Sequence, residues 1–202
     1  MIRIFNQSDT LIIVLHEIYG INQHILDYCE QLSSEGYDIV CPNLLETKVV
    51  FDYSKQEEAY QYFQRKIGFQ TAQQKVREIV QLNREKYTNL FVVGFSIGAT
   101  IAWLCSNEQE IAGIVGFYGS RIRDYVKIDP QCPVLLFFSE EEQSFNVEKV
   151  MEKIKHPNIE LYREEGHHGF CDPYSLYYRN DLAQRTFDKT KAFLLEKIRL
   201  PR

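Results

Sequence analysis

The chain contains no run of the roughly 18 apolar residues that a helix needs to cross a bilayer. The residues after Met1-Ile2-Arg3-Ile4 do not form a stretch of signal-peptide length either, so a soluble, non-membrane protein is expected. Cysteine is sparse and unpatterned: Cys29, Cys41, Cys105, Cys132 and Cys171 make an odd count without a Cys-x-x-Cys pair. That argues against a disulfide scaffold and for reduced thiols in a cytoplasmic protein. An excess of positive charge is missing too. The 23 Lys and Arg against 28 Asp and Glu give a net charge of -5. The basic residues are scattered, which excludes a nucleic-acid footprint and disfavours anionic membrane surfaces. No Gly-Lys-Ser/Thr follows the Gly-x-x-Gly fragments and no Gly-x-Gly-x-x-Gly opens a helix, so no phosphate-binding loop is read. His16, His167 and His168 lack His-x-x-x-His spacing and a cysteine pair, so no metal and no cofactor is expected. Internal repeats, low-complexity tracts and interdomain linkers are also absent.

What is present fits one domain over residues 1–202, with 45% hydrophobic and 25% charged residues. Arg3-Ile4-Phe5 and Leu11 to Leu15, separated by a polar turn, predict a leading edge strand and a core strand. Asn22 is a plausible N-cap for a helix carrying Ile25, Leu26, Cys29 and Leu32 and stopping near Gly36. Further strands are expected at Tyr37–Cys41, Leu90–Val93, Ile111–Phe117, Pro133–Phe138 and Ile159–Tyr162. Helices are expected from Thr71 to Lys86 (apolar side Val76, Ile79, Val80 and Leu82), after Ser96, over Val147–Ile154, and from Asp181 to Ile198. Residues 43–66 show no clean period and read as a loop with a short helix near the site. Strands alternating with helices imply an α/β fold, a mostly parallel sheet with helices on both faces.

The chain is organised around Gly94-Phe95-Ser96-Ile97-Gly98. An apolar strand delivers the serine to a tight turn and a helix leaves it. Small residues two before and two after let strand and helix pass closely, while the helix N-terminus favours negative charge beside Ser96. In open α/β sheets ligands gather at the carboxyl ends of the strands. Three more clusters follow predicted strands there: His16-Glu17-Ile18-Tyr19-Gly20, Glu140-Glu141-Glu142 and Gly166-His167-His168-Gly169-Phe170. A serine needs a base in hydrogen-bond reach, and that base needs a carboxylate. The serine, acid, histidine order is that of α/β-hydrolases. His168 is the favoured base, in a loop expected from Glu164 to Pro173, and His167 its competitor.

Together with Phe117-Tyr118-Gly119, Pro133-Val134-Leu135 and His168-Gly169-Phe170, these clusters make most of the chain resemble the dienelactone hydrolase family, in a serine-nucleophile variant. The resemblance implies a single-domain α/β-hydrolase fold with Ser96 as nucleophile, His168 as base and Glu142 as acid. Glu140, Glu141 and Asp172 stay open for the last role. It implies an oxyanion hole from the Ile18 and Ile97 N–H groups, with Glu17, Tyr19 and Tyr118 lining the site. Name-giving members have a nucleophilic cysteine, and an arginine four residues after the histidine that holds the substrate's carboxylate; this chain has Ser96 and Asp172. Dienelactone itself is therefore not the expected substrate. Arg121 and Arg123 read as surface charges, Cys171 as packing, and Tyr174, Tyr177 and Tyr178 as an aromatic patch against the last helix or a pocket wall.

The expected activity is cleavage of a small-molecule carboxylic ester through an acyl-enzyme, with thioesters and peptides open. The alternative is a non-catalytic binding or regulatory module on the same fold. The sequence leaves the oligomeric state open.

Overall fold

The apolar runs assemble, in a computed structural model that describes residues 1–142 and 145–198, into one seven-stranded sheet. Residues 143–144 and 199–202 of the expected domain lie outside the described residues. In chain order the elements are β1 (Ile2–Ile4), β2 (Thr10–Leu15), α1 (Gln23–Ser34), β3 (Asp38–Cys41), α2 (Gln56–Tyr62), α3 (Gly68–Asn83) and β4 (Asn89–Phe95). These are followed by α4 (Ile97–Leu104), β5 (Gly113–Phe117), β6 (Val134–Glu141), α5 (Val147–Lys153), β7 (Ile159–His167) and α6 (Asn180–Lys197). The strand order is β1-β3-β2-β4-β5-β6-β7. Only β1 runs antiparallel, paired with β3 at the edge; the other five pairings are parallel.

Side chains alternate across each strand, so one strand feeds two cores. Leu11, Ile13 and Leu15 of β2 join Val76, Ile79 and Val80 of α3, Ile101 and Trp103 of α4, and Val147 and Val150 of α5. Ile12 and Val14 join Ile25, Tyr28, Cys29 and Leu32 of α1, and Leu182, Phe193 and Leu194 of α6. Helices therefore cover both faces, and the central strands are apolar throughout because neither face meets water.

α1 begins where Asn22 Oδ1 accepts from the Ile25 N–H at 3.2 Å. Residues 43–66 have no single period for a physical reason: a 3₁₀ turn (Tyr53–Lys55), α2 and a π-helical turn (Phe63–Ile67) follow one another. Hydrogen bonds spanning three, four and five residues rotate the buried side from one segment to the next. Two expectations are corrected. Leu82 is 71% exposed, because at 3.6 residues per turn it falls about 120° from Val76 on α3. The strand expected to end at Tyr162 runs on to His167, so the histidine loop starts at His168 and not at Glu164. Among the described residues no helix is long and apolar enough to cross a membrane.

Candidate active site

β4 ends at Phe95, and the chain turns through Ser96 with φ 53° and ψ -113° before α4 begins. A non-glycine residue at positive φ costs of order 1–3 kcal/mol and persists only where its surroundings dictate it. Here the backbone dictates it: the Ser96 N–H donates to the Phe117 carbonyl at 2.9 Å, and the Ser96 carbonyl accepts from Thr100 N–H at 3.2 Å. The two flanking glycines are steric requirements. A Cβ on Gly94 would strike the Gly98 carbonyl, and one on Gly98 would strike the Leu15 and His16 carbonyls. The first turn of α4 is thereby pressed against the end of β2. Its first N–H groups, Ile97 among them, have no acceptor within the helix.

His168 comes from the end of β7. Its Nε2 lies 2.9 Å from Ser96 Oγ and its Nδ1 lies 2.8 Å from Glu142 Oε1. A carboxylate only accepts, so Nδ1 carries the proton and the Nε2 lone pair faces the serine hydroxyl. Glu142 follows β6 directly, its side chain 6% exposed against 38% for His168. Ser139 Oγ donates to the same Oε1 at 2.7 Å. The register between β6 and β7 shifts between Ser139 and Glu141, and an irregularity of that kind re-aims the side chains beyond it. Burial opposes charge on His168, but the hydrogen bond and charge of Glu142, with Glu17 behind them, outweigh it and raise its pKa above 6.5.

The competing residues point elsewhere. His167 is half-exposed, 3.2 Å from Glu141 and packed on the Tyr177 ring. Glu140 pairs with Arg163. Asp172 accepts from the Tyr53 hydroxyl at 2.5 Å and the Tyr174 N–H at 2.8 Å, not from His168. Arg121 pairs with Asp124 and donates to Tyr60, while Arg123 donates to the Ser120 carbonyl. Cys171 is buried, as are Cys29, Cys41, Cys105 and Cys132. Tyr174 and Tyr178 donate to Asp27 and Asn180 respectively.

The loop after β2 forms another wall. His16 is fully buried, which pushes its pKa down to about 4. Its Nδ1 donates to the Glu17 carbonyl at 2.6 Å, and Nε2 accepts from Leu44 N–H at 2.8 Å. This clamp holds the segment carrying Glu17 and Ile18. Glu17 is 4% exposed; burial first, then Asp172, raises its pKa to about 7, while His168 and the Tyr118 hydroxyl pull it down. That hydroxyl approaches Glu17 without reaching hydrogen-bond geometry. Tyr118 is buried at φ 42°, its ring 4.8 Å from that of His168. Tyr19 packs at 4.6 Å on Tyr53, which brings residues 43–66 to the site, as expected. Sequence reasoning missed Ser139 and His24. Ser139 is marked only by its place at the strand end, and His24 reads as one more helix residue.

The model of the "Dienelactone hydrolase family" matches residues 5–198. The chain is 38% identical over 184 residues to uncharacterized protein YczH of Bacillus subtilis (strain 168), covering 90% of each chain. It is 25% identical over 132 residues to a carboxymethylenebutenolidase of Pseudomonas putida, covering 60% of this chain and 55% of that one. Among solved structures, a dienelactone hydrolase-like promiscuous phosphotriesterase from metagenomic libraries superposes with a TM-score of 0.73 at 16% identity, covering 94% of this chain and 87% of the other. An esterase of Pyrococcus furiosus gives 0.68 at 18% identity, covering 96% and 85%. These two likenesses show the α/β-hydrolase fold.

Proposed function

The chain belongs to the dienelactone hydrolase family, and from that membership we propose that it is a serine hydrolase cleaving a small-molecule carboxylic ester through an acyl-enzyme. The continuous relay from Glu142 Oε1 through His168 to Ser96 Oγ, with contacts of 2.8 and 2.9 Å, carries the reading. Ser96 Oγ attacks the acyl carbon as its proton passes to His168 Nε2, and Glu142 stabilises the imidazolium that results. The N–H groups of Ile97 and Ile18 receive the oxyanion. Collapse of the tetrahedral intermediate breaks the bond to the leaving alkoxy group, which takes the proton from Nε2. Water then attacks the acyl carbon of acyl-Ser96, giving its proton to His168 Nε2, and the second tetrahedral intermediate collapses by breaking the bond to Ser96 Oγ, which takes that proton back as the acid is released. Glu17, Tyr19 and Tyr118 line this centre, with the Tyr118 ring packed against His168.

Neutral esters are the proposed substrates. The residue at 172 is an acid already engaged by Tyr53 and Tyr174, and it offers no cation to a substrate carboxylate. Ser96→Ala should abolish turnover of p-nitrophenyl acetate and labelling by a fluorophosphonate while leaving the circular dichroism unchanged. Equal turnover in variant and parent would sink the assignment. A well-folded parent that is not labelled would point to a non-catalytic module instead.

A further inference from the structure

Behind the wall formed by Glu17 lies a polar cluster that the relay does not use. Glu17 from the loop after β2, His24 from the first turn of α1 and Asp172 from the loop after β7 are 4, 2 and 1% exposed. One ligand-capable atom of each lies within 4.8 Å of the others. Two carboxylates in so small a buried volume need a compensating charge. Among the described residues neither pairs with a lysine or an arginine. His24 Nδ1 approaches Asp172 Oδ2 only to 3.8 Å, beyond hydrogen-bond length. Neither ring nitrogen of His24 has a hydrogen-bond partner, nor does Glu17 Oε1. A single proton can offset only one of the two negative charges. An ion drawing on all three donors serves them together.

We propose that Glu17, His24 and Asp172 bind one divalent transition-metal ion of the Mn²⁺ or Zn²⁺ class. One imidazole and two carboxylates are the donors such ions take, whereas Mg²⁺ and Ca²⁺ favour all-oxygen sets. With the atoms spaced as they are, closing to bonds of about 2.0–2.2 Å needs only small side-chain shifts. Support of the kind that orients metal ligands is in place: the Tyr53 hydroxyl donates to Asp172 Oδ2 at 2.5 Å and is itself held by Asn22 Nδ2 at 2.9 Å. A cavity of about 190 Å³ lies beside the cluster, lined by His24 with Asp27, Gln31 and Pro173. The ion binds outside the Ser96 relay. Its effect is to offset the two acids and to tie α1, the loop after β2 and the loop after β7 to one another. The ion engages Glu17, which lines the proposed catalytic centre and helps to raise the His168 pKa, but none of Ser96, His168 and Glu142, so its binding is read separately from esterase turnover.

The full chain, stripped with EDTA, is titrated with Mn²⁺ followed by the electron paramagnetic resonance of the free ion, and with Zn²⁺ by calorimetry. The expected result is one ion per chain and a higher melting temperature at saturation. His24→Ala and Asp172→Asn should lose the ion, whereas His156→Ala, on the surface, should keep it. If the parent takes up neither ion at about 100 µM, the proposal is overturned and a proton is what balances the cluster. Undiminished binding by folded His24→Ala would place the ion elsewhere and overturn it equally. Should those variants not fold, Glu17→Gln is titrated in the same way, and undiminished binding overturns the proposal.

Discussion

His168 is held between two demands. Burial favours its neutral form, yet Glu142, with help from Glu17, raises its pKa above 6.5. As the proposed general base His168 works deprotonated, so kcat/KM should rise with pH through a value above 6.5. In Glu142→Gln the charge that raises the pKa is lost, and only a neutral amide carbonyl is left to accept from Nδ1. The acid limb should then move to lower pH and kcat/KM should fall by about 100-fold or more. Glu141→Gln should leave profile and rate alone, since that side chain faces His167. A pH-rate series on p-nitrophenyl acetate checks both, and a limb that stays in place in Glu142→Gln would assign it to another group. The family resemblance pointed to Glu142 and left Glu140, Glu141 and Asp172 open, while residue type by itself does not separate three consecutive glutamates. A register shift in the β6–β7 pairing decides it, and composition carries no trace of such a shift.

At the scale of elements, the helix start at Asn22 and the glycines of the elbow were legible, because each follows from local chemistry. Capping needs a side-chain acceptor at one position, and the serine turn needs two residues without a Cβ. Asn22 does more than cap α1, since its Nδ2 also donates to Tyr53. Asn22→Ala should cost about 1 kcal/mol of stability, read from urea unfolding, whereas Asn22→Asp should retain most of it. A loss no greater than that of an exposed surface alanine would show that the cap is dispensable. The length of β7 was not legible. Glu164, Gly166 and His167 read as loop chemistry, but Glu164 is buried against Arg185 of α6. Gly166 leaves just enough room for Leu182 of the same helix. A helix distant in sequence makes that strand tolerable.

Across the whole molecule, one feature ties the site to the sheet. Phe95, Phe117, Phe137 and Tyr162 occupy paired positions on β4, β5, β6 and β7. Their rings stack at 4.7, 5.0 and 5.6 Å along one face. Phe117 stands inside this row, and its carbonyl holds the Ser96 N–H. Phe117→Ala should therefore destabilise the protein by about 3–5 kcal/mol in chemical denaturation, and Tyr162→Ala, at the less buried end, by clearly less. Equal losses would mean that the row contributes no more than local burial. By itself the sequence determined the fold class, the place of the serine turn and the set of polar clusters that follow the strands. Those rest on periodicity, on backbone sterics and on chain order, all local or one-dimensional properties. Only the tertiary structure showed that His168 reaches Ser96 and that Glu142, of the acids left open, reaches His168, and that Glu17, His24 and Asp172 share one buried volume. Such pairings depend on strand register, a bulge and helix docking, where displacements of a few ångströms between segments far apart in sequence select one neighbour over the next.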